Sequence, residues 1–144
     1  MLKDKLKVEV VVALKNGDRR RVEVMRYLVA LIDKRALQLP INKMTEAKEI
    51  QVLRKELKNK REAREIFSKA GRNDLVEQQD YEIGVVEGYL PLEMSEEEIE
   101  KIVDEVMAKK GSNLGMVMGE VMKMVAGRVE GEVVAKIVRQ KISG

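Results

Sequence analysis

Residues 88–98 read Gly88-Tyr89-Leu90-Pro91-Leu92-Glu93-Met94-Ser95-Glu96-Glu97-Glu98 and divide the chain into two helical parts. Pro91 has no backbone N–H and biases Leu90 away from helical angles, so a helix must end before it. Ser95 and Glu98 have the spacing of a capping box, in which each side chain accepts a hydrogen bond from the other's backbone at a helix start. We therefore predict domains at residues 1–91 and 92–144.

The apolar residues on both sides of this segment recur every three to four positions, which predicts an all-α protein. The first, larger part is expected to form four helices and the second, smaller part three. The first helix also contains a strand-like valine run, Val10-Val11-Val12, but the spacing of Leu2 and Leu6 favours a helix. Further helix starts are predicted at Asp18, Thr45, Asn73, Ser95 and Leu114 and near Val134, and helix ends at Asn16-Gly17, Gly71, Gly88 and Gly111.

The composition excludes several kinds of catalytic site. Among 144 residues there is no Cys and no His, so there is no disulfide, no thiolate or imidazole metal site, and neither a Cys nucleophile nor a His base. We expect no catalytic residue, no metal and no cofactor. No apolar run approaches the roughly 20 residues that cross a bilayer, and residues 1–5 lack the apolar core of a signal peptide. We expect no membrane association and a cytoplasmic location.

A basic stripe on the third predicted helix is the strongest candidate binding feature. Residues 51–64 hold six basic and two acidic side chains, and Arg54, Lys58 and Arg61 share one helix face with Lys55 beside them. Such a stripe can follow nucleic-acid phosphates, and a solvated helix face is the alternative. No aromatic side chains alternate with the basic ones, which argues against stacking on single-stranded bases.

Two other basic residues of the same helix, Lys60 and Arg64, lie where Leu53, Leu57 and Phe67 predict an apolar stripe. We expect them either to extend past the edge of the core or to pair with carboxylates.

Three further clusters have a structural and a functional interpretation, and the structural one is favoured for each. Arg19-Arg20-Arg21 is an exposed turn or an anion site. Glu96-Glu97-Glu98 caps a helix rather than binding a metal, because consecutive side chains point in different directions. The methionines of the sixth helix fill the core or form an adaptable binding surface; they are Met116, Met118, Met122 and Met124.

Several short motifs, taken in order, resemble the YqeY family. They are Lys55-Glu56-Leu57-Lys58, Arg61-Glu62, Phe67, Lys69-Ala70-Gly71-Arg72-Asn73-Asp74-Leu75, Tyr89-Leu90-Pro91, Ser95-Glu96-Glu97-Glu98, Val117-Met118-Gly119, Gly127-Arg128 and Gly131. The family consists of small stand-alone helical proteins related to the tail domain of the B subunit of glutamyl/aspartyl-tRNA amidotransferase. The resemblance covers nearly the whole chain and implies the same two-part helical fold.

The resemblance also implies a function. In the amidotransferase the related tail helps to hold tRNA, and the family's label of carbon–nitrogen ligase with glutamine as amide donor belongs to the full assembly. We therefore expect a non-catalytic protein that binds tRNA or associates with amidotransferase subunits. The expected phosphate contacts are Arg54, Lys55, Lys58, Arg61, Arg72 and Arg128, and the expected interdomain hinge is Tyr89, Leu90, Pro91 and Ser95. The alternative is a helical protein-interaction adaptor that does not bind RNA.

The chain departs from the family pattern in its C-terminal part. Met116, Met124 and Ala126 stand at positions that are often basic in the family, and Glu130 replaces a usual Asp. The uncharged residues at the first three positions lower the positive charge of the smaller part, so the larger part is expected to supply most of the RNA contacts.

Overall fold

The computed structural model describes residues 1–125 and 128–144, and within these ranges it contains seven helices and no strand. The predicted all-α class is confirmed. The helices are α1 (Leu2–Lys15), α2 (Arg19–Leu37), α3 (Glu46–Lys69), α4 (Asn73–Glu87), α5 (Glu96–Lys110), α6 (Leu114–Val125) and α7 (Gly131–Ser143).

The predicted helix starts depend on short-range side-chain caps. Asp18, Thr45 and Ser95 each accept a hydrogen bond from a backbone N–H in the first turn of α2, α3 and α5. The capping box of Ser95 and Glu98 is complete, since the Glu98 carboxylate also accepts the Ser95 N–H at 2.9 Å. Gly71, at the end of α3, has a φ of +72°, a conformation that residues with a Cβ rarely adopt.

Distances between Cα atoms group the chain into two compact units, Met1–Leu90 and Pro91–Gly144. Helices α1 to α4 fall in the first unit and α5 to α7 in the second. Whether each unit is an independent domain depends on its own stability, so the domains predicted at residues 1–91 and 92–144 stay a prediction.

The first unit is built from two helix pairs, α1 with α2 and α3 with α4, that share one core. Leu6, Met25, Leu28, Ile32 and Leu53 are fully buried in it. On α1, Leu6 and Ala13 are buried, but Leu14 is about half exposed. Its position lies one residue past Ala13, which turns its side chain away from the buried face.

Glu49 ties α3 to the start of α1. Its carboxylate is fully buried, and its two oxygens accept hydrogen bonds from the backbone N–H groups of Leu2 and Lys3, each at 3.1 Å. Helix N-termini carry unsatisfied N–H groups and a partial positive charge. Glu49 satisfies two of those groups from a distant helix, and in return both of its buried carboxylate oxygens have hydrogen-bond donors.

The second unit is a three-helix arrangement in which α5, α6 and α7 each contact the other two. Its core is almost entirely Val and Ile, including Ile99, Val103, Val117 and Val121. The methionines of α6 divide between the two interpretations: Met118 and Met122 pack against this core, whereas Met116 and Met124 are each 51% exposed.

The glycines of Gly127-Arg128-Val129-Glu130-Gly131 predict a turn between α6 and α7, but Gly127 lies outside the described residues, as does Ala126. Among the described residues, no helix combines the length and the apolar character needed to cross a bilayer.

Candidate nucleic-acid interface

The basic stripe predicted on α3 lies along the border between the buried and exposed sides of that helix. Because α3 packs against α1, α2 and α4, much of its circumference is covered. Arg54 is only 7% exposed and is therefore part of the packed interior, Lys58 is half-buried, and Lys55 and Arg61 are exposed. The structure does not bring the four residues together on one solvent-facing strip.

Lys60 is a buried lysine held by two carboxylates. Its ammonium Nζ lies 2.9 Å from Glu82 of α4 and 3.2 Å from Glu56 of α3, and it is 5.3 Å from the centre of the Tyr27 ring. Burial alone lowers the pKa of Lys60, but the hydrogen bonds and charges of Glu82 and Glu56 together outweigh it, and the pKa is raised. Pairing with carboxylates, one of the two alternatives for Lys60, is confirmed.

The same pairing continues along the α3–α4 contact. Arg64 bonds to Asp80 through its guanidinium, and Arg61 lies 3.4 Å from Glu87. The hydrogen bond and the charge of Asp80 raise the pKa of Arg64 further. The carboxylates that meet these three cations of α3 are Glu82, Glu87 and Asp80, all on α4. We call these contacts of Lys60, Arg61 and Arg64 the α3–α4 ion pairs.

Arg20 makes the corresponding link from α2 to α4. It donates to Glu77 and to Gln78, each at 3.0 Å, and its guanidinium lies 4.0 Å from the centre of the Tyr81 ring. Arg20 therefore has a structural role, but as a partly buried link between helices and not as part of the exposed turn favoured for Arg19-Arg20-Arg21.

Arg72 and Arg128 have partners of their own. Arg72, just before α4, bonds to Asp74 at 3.1 Å, and that hydrogen bond lowers the pKa of the Asp74 carboxyl. Arg128 belongs to the second unit and donates from Nε to the Leu92 carbonyl at 2.9 Å.

The residues of the expected hinge have distinct surroundings. Tyr89 is buried in the core of the first unit, where its hydroxyl lies 3.3 Å from the Met25 sulfur, and Leu90 packs partly against the same core. Pro91 begins the second unit, and Ser95 caps α5. A hinge motion remains a prediction.

One lysine near the exposed side of α3 was missed by the sequence analysis. Lys48 lies seven positions before Lys55 and so close to the same face, and its ammonium donates to the Lys43 carbonyl at 3.1 Å. We call Lys48, Lys55 and Lys58 the lysine row; Glu62, one turn beyond Lys58, is its acidic neighbour. The seven-residue spacing between Lys48 and Lys55 places both on one helix face, but Lys48 lies outside the basic segment 51–64.

The described part of the chain contains no group of three or more His, Cys, Asp or Glu side chains arranged to hold a metal ion. A shallow cleft of about 240 Å³ lies at the α1–α2 turn, lined by Glu9, Val12, Ala13, Asn16, Asp18 and Arg21. It is smaller than the usual ligand pocket of about 300–1,000 Å³.

Comparison with protein-family models gives a match over residues 3–142 to the family described as Yqey-like protein. The chain belongs to the YqeY family. The match spans both compact units of this YqeY-family chain, as the resemblance required. A comparison with curated proteins found no match.

Proposed function

We propose that this YqeY-family chain is a non-catalytic module that binds tRNA, with the lysine row of α3 as its phosphate-contacting surface. The observation that supports this best is the position of Lys55. It is exposed, and helical spacing places it on the side of α3 opposite Lys60 and Arg64, which face the carboxylates of α4. Cationic side chains on such a surface attract RNA phosphates.

The family relationship supports the same function, because the resemblance extends to a tail domain that helps an amidotransferase to hold tRNA. The chain has neither Cys nor His, so carbon–nitrogen ligase activity is assigned to an amidotransferase assembly and not to this chain alone. The proposal places the protein in the cytoplasm, with amidotransferase subunits as further partners.

The proposal changes the set of contact residues. Arg54 is removed because it is buried. Arg61 and Arg72 are retained as secondary contacts, since their ion pairs are exposed and such pairs contribute only about 0–1 kcal/mol, which phosphates can replace. Arg128 remains a candidate through those guanidinium nitrogens that do not bond to Leu92.

Fluorescence anisotropy with labelled tRNA, measured at several salt concentrations, tests this function. We expect Lys55→Glu/Lys58→Glu to weaken binding and to reduce the slope of log affinity against log salt by about 2, roughly one per lost phosphate contact. The matched control is Lys7→Glu/Lys101→Glu, which makes the same charge change at exposed sites on α1 and α5.

Equal losses in the two double variants would mean that only the net charge matters, and the lysine row would be rejected as the site. Absence of saturable tRNA binding by the unmodified chain at low salt would reject the function itself.

A second candidate function, a protein adaptor that does not bind RNA, is favoured by exposed apolar side chains in the second unit. Met116 and Met124 lie two turns apart on α6, and Leu92 is 83% exposed. Methionine surfaces adapt to varied apolar partners. If purified amidotransferase subunits bind the chain without RNA, and Met116→Gln/Met124→Gln weakens that complex, the adaptor function is favoured over tRNA binding.

A further inference from the structure

The exposed side of α3 carries two amide side chains beside its lysines. Among residues 48–59, the exposed ones are Gln51, Lys55 and Asn59. Each follows the previous one by four positions, so the three side chains form one ridge along the helix, about 12 Å long at 1.5 Å per residue. We call these three residues the α3 ridge. The other two lysines of the lysine row lie beside it and are partly buried.

The α3 ridge combines two kinds of hydrogen-bonding group. The ammonium of Lys55 is charged and can only donate, whereas the amides of Gln51 and Asn59 are neutral and can both donate and accept. An ammonium suits a phosphate oxygen. An amide suits a neutral group that also donates and accepts, and on the RNA backbone that group is the ribose 2′-hydroxyl. The ridge therefore matches both polar groups that an RNA backbone presents.

The aromatic side chains lie away from the α3 ridge. The chain has three Tyr, one Phe and no Trp, and all of them are among the residues that the structure describes. Tyr89 is buried, Tyr81 has a guanidinium 4.0 Å from its ring centre, and Tyr27 lies beside Lys60 on the side of α3 opposite the ridge. Phe67 is half-buried, about a third of a turn around α3 from the centre of the ridge. Single-stranded nucleic acid is bound largely by stacking its bases on aromatic rings, which the ridge does not provide.

We propose that the α3 ridge binds the backbone of a double-helical RNA stem, with Lys55 on a phosphate and Gln51 and Asn59 on 2′-hydroxyls. This inference rests on the tRNA binding proposed above and names the part of the RNA that α3 contacts. Double-stranded RNA is recognised mostly by its shape, its phosphates and its 2′-hydroxyls. Such contacts distinguish RNA from DNA and a stem from a loop, but they do not distinguish one stem sequence from another.

Glu62 limits the α3 ridge at one end. It is exposed and lies seven positions after Lys55, and so on the same side of α3. Its carboxylate repels phosphate groups. The contact with the RNA backbone is therefore confined to the part of α3 that precedes Glu62.

Competition against labelled tRNA, followed by fluorescence anisotropy, provides the test. The competitors are an RNA duplex of about 16 base pairs, a DNA duplex of the same sequence, and one strand of the RNA, which does not pair with itself. We expect the RNA duplex to compete about tenfold better than the DNA duplex, because two hydrogen bonds to 2′-hydroxyls together contribute about that factor. The RNA duplex should also compete better than the single strand, and a second RNA duplex of different sequence should compete equally.

Two variants separate the amides from the lysine. Gln51→Ala/Asn59→Ala should reduce the affinity for the RNA duplex to that for DNA and leave its dependence on salt unchanged, because no phosphate contact is lost. Lys55→Glu should weaken RNA and DNA binding alike and reduce the salt dependence of both. The matched control, Gln38→Ala/Gln140→Ala, removes exposed amides from the end of α2 and from α7 and should change neither property. Ala favours helices, and circular dichroism checks that each variant retains them.

Several results would overturn this inference while leaving tRNA binding in place. They are a single strand that competes as well as the duplex, equal competition by RNA and DNA duplexes, unequal competition by the two RNA sequences, and a preference for RNA that survives Gln51→Ala/Asn59→Ala. A loss of that preference in the Gln38→Ala/Gln140→Ala control would also reject the ridge as its source. If the unmodified chain binds no tRNA, the proposed function and this inference are both rejected.

Discussion

Glu49 is a charged residue near the start of α3, yet its carboxylate is fully buried against the start of α1. A buried ionised group is tolerated only where hydrogen bonds and favourable dipoles replace water. The N–H groups of Leu2 and Lys3 provide both. Glu49 therefore connects two helices whose sequences are far apart, and its loss affects both of them.

Replacing Glu49 with Gln is expected to lower the free energy of unfolding by about 2–3 kcal/mol, since hydrogen bonds to a charged acceptor are lost and the amide NH2 opposes a backbone donor. Urea unfolding followed by circular dichroism measures this. Glu46→Gln is the control, because Glu46 lies in the same first turn of α3 but is exposed. Equal effects of the two substitutions would show that charge near the α3 terminus, and not the bonds to α1, is responsible.

Lys60 predicts a dependence of stability on alkaline pH. The pKa of Lys60 is raised in the folded protein. Its contribution to the free energy of unfolding is therefore complete below the pKa of about 10.4 in the unfolded chain, and it is lost as the pH rises through the pKa in the folded protein. Lys60→Met removes the ammonium that lies between two largely buried carboxylates, Glu56 and Glu82, and should cost about 3 kcal/mol at neutral pH.

The difference in unfolding free energy between the unmodified chain and Lys60→Met should narrow above about pH 10.4. Lys55→Met, an exposed change on the same helix, should show no such narrowing. A constant difference for Lys60→Met from pH 7 to pH 11 would contradict the pairing described for Lys60.

At the scale of the helices, the sequence predicted the features that depend only on residues close together in the chain, such as helix caps. The caps at Asp18, Thr45 and Ser95 are formed within one turn, and their spacing was readable. The α3–α4 ion pairs were predicted only in part. The sequence showed that Lys60 and Arg64 are charged residues within the apolar stripe of α3, but it did not identify their partners, which depend on how α4 aligns with α3. Arg54 was placed on the candidate site because helical spacing does not say how much of a helix is covered.

The capping box makes Ser95→Ala an informative change. We expect a loss of about 1 kcal/mol from the stability of the second unit, because the Glu98 N–H loses its acceptor at the start of α5. Hydrogen exchange of α5 amides provides the readout. Ser112→Ala, in the exposed turn after α5, is the control, and similar effects of both changes would argue against the cap.

At the scale of the whole molecule, the two units differ in the size of their cores. The first unit includes the larger side chains Met25, Leu28 and Tyr89, whereas the buried core of the second consists of Val and Ile. The sequence predicted a division near Pro91, but the stability of each part depends on total buried area, which no local motif records.

Native-state hydrogen exchange should therefore resolve two opening free energies. We expect the protected amides of α5 to α7 to exchange through an opening of lower free energy than those of α1 to α4. Measurements at increasing, sub-denaturing urea concentrations distinguish this from global unfolding. If the most protected amides of both units converge on one free energy and one urea dependence, the predicted domains are a single cooperative structure.

The buried ion pairs of Lys60 affect how the contact between α3 and α4 responds to heat. The hydration of charged groups becomes less favourable as temperature rises, so keeping Lys60, Glu56 and Glu82 out of water costs less in a warm solution than in a cold one. The contact between these two helices consequently keeps more of its strength on warming than an exposed, fully hydrated charge pattern would allow.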